Sequence, residues 1–400
     1  MQVGYDIIVV GAGPAGMMAA DHAAQRGLRV AIVEQMPSPA RKFLMAGKSG
    51  LNLTKAEPSD KFLKKFDQKE RLKPILDQFG PTEVMEFSSK LEQEVFTGST
   101  GRVFPRSMKA SPFLRSWLKR LDSMDVTLLR DHRWVGPISS SNCHQFETSG
   151  NQISISAGAL VLAVGGASWA RLGSDGAWSK HFKKPQSQLT PFRPSNVGVR
   201  VKWSDYMLPH FGSPLKNITL SVSKIKSHGE LIITRDGIEG GAVYEIGKAL
   251  LNSPSAQIDL APQINIKKLQ SLFENRNQKE SLTNFLRKSL KLNATKRTFL
   301  FEFKQPLNKN PHYLAELVKG VTIPLLGPQP LDQAISTGGG VPWEHLTDGL
   351  MLKAYPGIFC AGEMIDWDAP TGGYLITACM ATGRWAGRAA GYYVSANALL

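Results

Sequence analysis

The series Gly11-Ala-Gly13-Pro-Ala-Gly16 constrains this chain more than any other feature, because of what stands on either side of it. Before it, Tyr5–Val10 is an uninterrupted apolar run, the pattern of a strand buried on both faces. After it, alanines and methionines from Met17 to Gln25 read as a helix that stops at Gly27. Leu28–Val33 is then a second buried strand, closed by Glu34. Strand, helix and strand fit in about 30 residues, the length of a β-α-β unit. In that context each glycine has a task. Gly11 allows the tight turn, Gly13 lets the backbone approach a pyrophosphate, and Gly16 lets the helix pack on the strand. The free amides and positive end of the helix would hold phosphate charge. Glu34 would accept hydrogen bonds from the ribose hydroxyls, which favours a ribose without a 2′-phosphate. Pro14, Ala15 and Gln35 belong to the same expected contact set.

A dinucleotide fingerprint alone does not separate FAD from NAD, but later segments do. Ala159–Val164 is a short buried strand that runs into Gly165 and Gly166, so Ala163, Val164 and both glycines form an expected second cofactor contact. Gly357–Cys360 reads as a strand followed by Gly362, Glu363 and Asp366, the form of a distal motif whose acid meets the ribityl chain. Gly372-Gly373-Tyr374 opens the last helix, Tyr374–Tyr393, and would aim amides and a helix dipole at the pyrophosphate or the flavin, favouring negative charge on the reduced ring. No second Gly-x-Gly-x-x-Gly follows, since Gly165–Gly176 and Gly338–Gly340 are spaced differently. NADH or NADPH would therefore bind only transiently, as a hydride donor at the flavin face.

Elsewhere, Pro37–Lys55 reads as a loop, and Lys61–Met124 as helical around a polar turn at Gly98–Pro105. Val126–Val135 and Gln152–Ser156 read as strands, with Val135 a further expected cofactor contact. From Pro191 to Leu260 the segments are short and alternating (Val197–Val201, Ile218–Val222, Glu230–Thr234), which suggests an antiparallel sheet or barrel. Ile266–Val321 is helical and basic. The expected fold is α/β: a Rossmann-like FAD-binding domain of the two-dinucleotide-fold type, interrupted by a β-barrel-like module and a small helical module. Residues 1–190 and 337–400 form the first, 191–265 with about 322–336 the second, and 266–321 the third.

At this point the chain resembles the BaiN/YhiN-like NAD(P)/FAD-dependent oxidoreductases, a group of bacterial flavoproteins. The resemblance spans the fingerprint, Arg41–Gly47, Asn52-Leu-Thr54, Gly101–Pro105, Ala163–Gly166, Thr337–Val341 and Ala361–Tyr374. It implies that the loop after the second strand lies along the flavin, with Lys42, Met45, Ser49, Gly50 and Asn52 as FAD contacts. It also implies reduction of an activated C=C bond, with hydride passing between flavin N5 and a small substrate held between FAD domain and middle module. Where many members read Gly-Arg-Cys-Asn, this chain reads Ser49-Gly50-Leu51-Asn52, without a cysteine beside the flavin. The flavin itself carries the chemistry, so no protein group is assigned as catalytic. Asn52, Arg102 and Trp367 are the substrate-side candidates.

Three cysteines (Cys143, Cys360, Cys379) and eight scattered histidines show no metal spacing and no Cys-x-x-Cys pair, so no metal is expected and the cytoplasm is the default compartment. No stretch approaches the roughly 18 apolar residues of a membrane helix. Much of the net charge of +15 sits in Lys61–Lys73 and Lys267–Lys304. With few aromatics there, a solvated face is the preferred reading, and an RNA-binding flavoprotein of the tRNA-modification type is the alternative.

Overall fold

The structure is a computed structural model that describes residues 4–48, 50–182, 188–303 and 308–397. The chain divides into two compact units, residues 1–193 with 336–400, and residues 194–335.

The first unit is built on a seven-stranded sheet. Strand Gly4–Val10 lies at its centre, parallel to Val30–Val33 on one side and to Asn151–Leu162 on the other. Thr127–Leu129 extends the sheet beyond Val30–Val33, and Ile358–Cys360 pairs in parallel with the end of Asn151–Leu162. The near end of that long strand is antiparallel to Cys143–Thr148, which pairs with Arg133–Trp134. Ile7, Ile8, Val9, Ile32 and Val161 are fully buried, as parallel strands covered on both faces require.

Helix Pro14–Ala24 crosses from the first strand to the second, and the long helix Tyr374–Asn397 packs on it. The small residues of the long helix are explained by that contact. A Cβ at Gly383 would lie 2.1 Å from the Ala15 carbonyl oxygen, and one at Gly387 would lie 2.2 Å from that of Ala19. Only glycine permits backbones this close. Asp21 is fully buried on the same helix and is held by a bidentate pair with Arg120, Nε to Oδ2 at 2.8 Å and Nη2 to Oδ1 at 3.1 Å.

Several expectations need correction. The segment read as a loop over 37–55 contains helix Arg41–Ala46 and strand Thr54–Lys55. The polar turn at 98–105 belongs to a hairpin, Val95–Thr97 with Arg102–Pro105, which also takes Thr54–Lys55 as an edge. Gln152–Ser156 and Ala159–Val164 are one strand. Gly158 reads as a break but is a close approach, since its Cβ would meet Asp6 O at 3.1 Å and Val394 at 3.3 Å. The expected strand 126–135 is instead two, separated at Asp131, whose φ of 58° is incompatible with an extended run.

The second unit holds a six-stranded antiparallel sheet in the order Val199–Arg200, Gly237–Glu239, Ile225–Thr234, Pro214–Val222, Ser255–Asp259, Val321–Pro324. Arg200 N donates to Gly327 O, Leu326 N to Arg200 O, and Gln329 N to Gly198 O. Those bonds carry the chain beyond the last strand back to the first. Helices Ile266–Glu274, Leu282–Lys288, Ala294–Glu302 and Pro311–Lys319 pack on it, and sheet and helices share one core that includes Leu220, Ile258, Leu269, Phe299 and Leu314. Each helix begins with a side-chain cap, from Asn265, Ser281, Asn293 and Asn310. Among the described residues, no helix is long and apolar enough to cross a membrane.

Candidate dinucleotide site

Four parallel strands of the first unit end side by side, and each runs into a segment that the sequence marked. Val10 leads to Gly11, Val33 to Glu34, Leu162 to Ala163, and Cys360 to Ala361. Backbone bonds lock these exits together: Gly11 N to Val33 O, Ala163 N to Val10 O, and Ala361 N to Leu162 O. The result is a groove at the carboxyl ends of the strands. That is where ligands bind in open α/β sheets.

The three fingerprint glycines differ in what surrounds them. A Cβ at Gly11 (φ +99°) would sit 2.4 Å from Ala163 O, and at Gly16 only 1.8 Å from Gly11 O. Both glycines are required by the fold. At Gly13 the φ is ordinary and a Cβ meets nothing within 4 Å. No protein atom explains this glycine, so the space it leaves open is space for something that lies along it. Helix Pro14–Ala24 also begins without a side-chain cap and without an acid in its first turn. Its leading amides therefore face the groove without a cap from the helix's own side chains.

Glu34 is nearly buried and accepts hydrogen bonds from Ala12 N and Met36 N, both at 2.9 Å. Burial pushes its carboxyl above the usual range, while the two amides oppose that shift. Lys42 crosses the groove to Glu363 Oε2 at 2.9 Å and to Ser168 Oγ at 2.9 Å, and Glu363 also accepts Thr337 N. Gln35 Nε2 donates to Gly173 O and brings in a further loop.

The sequence reading missed that other wall. Trp134, Ser174, Trp178 and His181 line the groove, as do Arg41 and Phe43. The indole N–H of Trp134 and the hydroxyl of Ser174 are buried without a hydrogen-bond partner. Orphaned groups of this kind call for an explanation, and a polar ligand in the groove supplies one. The glycines at 173 and 176, both at positive φ, are the signal in the sequence that this loop turns sharply. Cys379 also faces the groove, but burial pushes its thiol up to about 12, which keeps it protonated and inert.

Other expected contacts lie apart from this groove. Val135 is not in its lining: its amide bonds Gln145 O, and the neighbouring Arg133 and Trp134 line the groove instead. Gly166 backs onto Thr337, whose Oγ1 would be 1.9 Å from an added Cβ. Asp366 turns away from the groove to accept Gly339 N at 3.0 Å and pair with Arg193. Trp367 is 1% exposed, donates to Gly362 O and packs on Phe66, so it is an interior plug rather than a substrate-facing ring. Tyr374 is likewise buried, against Phe62 and Phe66, with its hydroxyl on Glu57. Met45 and Gly50 stand outside the lining; Gly50 (φ +127°) packs on Met108. Ser49 lies outside the described residues.

Asn52, Arg102, Gly372 and Gly373 form a second grouping. The Asn52–Thr54 segment pairs with the Arg102–Pro105 strand through Leu53 N to Val103 O. A Cβ at Gly373 would lie 2.5 Å from Thr54 Cα, and one at Gly372 would lie 3.9 Å from Arg102 Nε. Asn52 Oδ1 is buried and unpartnered. Two substrate-side candidates and two cofactor candidates thus meet at one sheet edge. Among the described residues no group of His, Cys, Asp or Glu is placed to hold a metal ion.

Fold and groove together define a Rossmann-type flavoprotein, an FAD-dependent oxidoreductase. The chain belongs to the HI0933-like (BaiN/YhiN-like) family, whose Rossmann-domain model matches residues 5–389. It is 26% identical to the 3-dehydro-bile acid delta(4,6)-reductase of Clostridium scindens, over 96% of this chain and 98% of that one. It is 22% identical to the ribosomal RNA dihydrouridine synthase of Escherichia coli, over 92% and 94%. Among solved structures, an E. coli quinol fumarate reductase superposes with a TM-score of 0.55 at 14% identity, covering 99% of this chain and 72% of that one. These structural likenesses speak to the fold.

Proposed function

We propose that this protein uses FAD and NADH or NADPH to saturate a C=C bond conjugated to a carbonyl group in a small molecule. The observation that carries the cofactor assignment is Gly13, a glycine with no protein neighbour, beside an uncapped helix start and two orphaned donors. The residues fit the group. Gly11–Gly16 would cradle the pyrophosphate, Glu34 would take the adenosine ribose, and Ser174 and Trp134 would donate to the same half of the cofactor. Lys42, held by Glu363 and Ser168, would supply positive charge to the distal half of the cofactor. FAD, when bound, supplies hydride transfer at N5, and the protein orients it and tunes its potential. Asn52 and Arg102 are assigned to the substrate: an amide oxygen and an exposed guanidinium at the Gly372 edge. Three cysteines with no Cys-x-x-Cys pair support the cytoplasm as the compartment of this work.

The reaction type is supported by the two curated relatives, because the name of each describes saturation of a C=C bond beside a carbonyl. The second relative also favours another reading of the substrate, a uridine within RNA. The test is an absorbance spectrum of the purified protein, then anaerobic NADH or NADPH, then a small cyclic enone. Flavin bands that bleach with nicotinamide and recover with the enone are expected. A protein that stays colourless after incubation with FAD sinks the cofactor assignment, and a flavin that no nicotinamide reduces sinks the donor.

A further inference from the structure

We propose that the helical face of the second unit, centred on Glu280, binds the phosphate backbone of structured RNA. The binding surface goes beyond the hydride-transfer reading and depends on it only for what becomes of the RNA once held.

The charge is concentrated rather than dispersed. Residues 266–297 carry nine Lys or Arg against two acids, so this short stretch supplies nearly half of the +15 of the whole chain. One of the two acids, Glu274, is already paired with His312 Nε2 at 3.0 Å. The other, Glu280, organises the cluster. Its carbonyl accepts from Arg276 Nη1, and its carboxylate accepts Asn284 Nδ2 at 3.0 Å and faces Lys288 Nζ at 4.0 Å. Asn284 in turn accepts Arg287 Nη2 at 2.8 Å. This bonded network proves that Arg276, Arg287 and Lys288 are neighbours in space, with Lys279 and Lys291 following along the chain at either end. Three cations thus gather around Glu280, and two more lie next to that network in sequence. Lys279, Arg287, Lys288 and Lys291 are all exposed, whereas the Glu280 side chain is only 22% exposed.

Unmatched cations held this close repel one another, and a polyanion relieves the repulsion by neutralising them and releasing its condensed counterions. A membrane surface has the same charge, but binding it durably needs apolar side chains to enter the lipid. The exposed large apolar residues among those described (Phe96, Met108, Tyr206, Leu208, Ile225, Leu326, Tyr392) all lie outside 266–302. The patch offers charge and amide hydrogen bonds and nothing to insert, which suits phosphates along a nucleic-acid backbone.

The experiment uses the full-length, FAD-loaded protein and a fluorescently labelled RNA hairpin, with anisotropy followed from about 50 to 200 mM salt. The parent should bind with a steep negative slope of log K against log[salt]. The quadruple variant Lys279→Ala, Arg287→Ala, Lys288→Ala, Lys291→Ala should lose about 3.6 units of slope, since each of the four phosphate contacts contributes about 0.9. Its flavin spectrum and its reduction by nicotinamide should match the parent, which shows that it is folded. A control, Lys224→Ala with Lys226→Ala on the sheet hairpin, should bind like the parent. RNA binding that is absent at low salt, or unchanged in the quadruple variant, overturns the proposal, as does preferential binding to phosphatidylserine vesicles. Failure here with a flavin that still cycles leaves the reductase reading standing, while a chain without flavin fails that reading alone.

Discussion

Substituting Gly13 and Gly16 separately distinguishes a glycine kept for a ligand from one kept for the fold. At Gly13 the backbone is extended (φ −80°, ψ −180°) and an added Cβ meets no protein atom. Gly13→Ala should therefore leave the flavin-free protein within about 1 kcal/mol of the parent. The variant gains roughly 0.4–1 kcal/mol by restricting the unfolded chain, and loses a similar amount because alanine is the poorer N-cap. At Gly16 the added Cβ would lie 1.8 Å from a backbone oxygen, so helix or turn must move, at a cost of about 1–3 kcal/mol or more. Gly13→Asp sharpens the contrast. Aspartate is a good N-cap, so the flavin-free protein should hold its stability. Its carboxylate, about 4 Å from a phosphate charge near a protein surface, opposes binding by about 4 kcal/mol. That is about a 10³-fold loss of FAD affinity. The assays are thermal unfolding of stripped protein and fluorescence titration with FAD. The reasoning is refuted if Gly13→Asp takes up FAD like the parent. It is equally refuted if stripped Gly13→Ala unfolds as early as Gly16→Ala.

Three further outcomes follow from the scaffold. Arg120→Leu leaves the Asp21 carboxylate buried and unpaired, and should cost about 3–5 kcal/mol in chemical denaturation, part of it recovered when Asp21→Asn is added. His144 is buried, and desolvation lowers its pKa to about 4, so its neutral ring contributes stability that is full above about pH 6.5 and lost as pH falls toward 4. The stability gap between parent and His144→Phe should accordingly change by about 3 kcal/mol between pH 7 and pH 4, and a gap flat with pH would contradict the assignment. Gly387→Ala drives a Cβ to 2.2 Å from Ala19 O and should lower the melting temperature, whereas Gly391→Ala meets the flexible Arg26 side chain at 2.8 Å and Leu28 Cδ1 at an ordinary 3.5 Å and should be tolerated.

How much of this could be read from the sequence depended on whether the determining contact was local. The first strand, helix and second strand were legible because burial on both faces leaves continuous apolar runs and the glycines punctuate them. The long strand through Gly158 was not, because a glycine that admits Val394 looks the same in sequence as one that ends a strand. The Val95–Thr97 and Arg102–Pro105 hairpin was hidden for a related reason. Its strands are short, and its third partner, Thr54–Lys55, lies far away in sequence.

The site divides along the same line. Gly11–Ala15, Glu34, Ala163–Gly165 and Gly362–Glu363 were legible because each directly follows a buried strand, so the sheet itself carries them to one edge. Trp134, Ser174 and His181 were not, since they reach the groove from loops whose path depends on contacts such as Gln35 with Gly173. Within the distal motif, pattern alone could not assign its two acids. The tight turn at Gly362–Met364 leaves Glu363 toward Lys42, while Asp366 falls on the far side against Gly339. The Lys42–Glu363 pair joins residues 321 positions apart. The inserted unit separates its partners in sequence, so the groove gains its fourth wall only when the chain returns to complete the sheet with Ile358–Cys360 and cover it with Tyr374–Asn397. Lys42 has its Glu363 counter-charge only with the returning segment in place, because Glu363 directly follows the strand Ile358–Cys360.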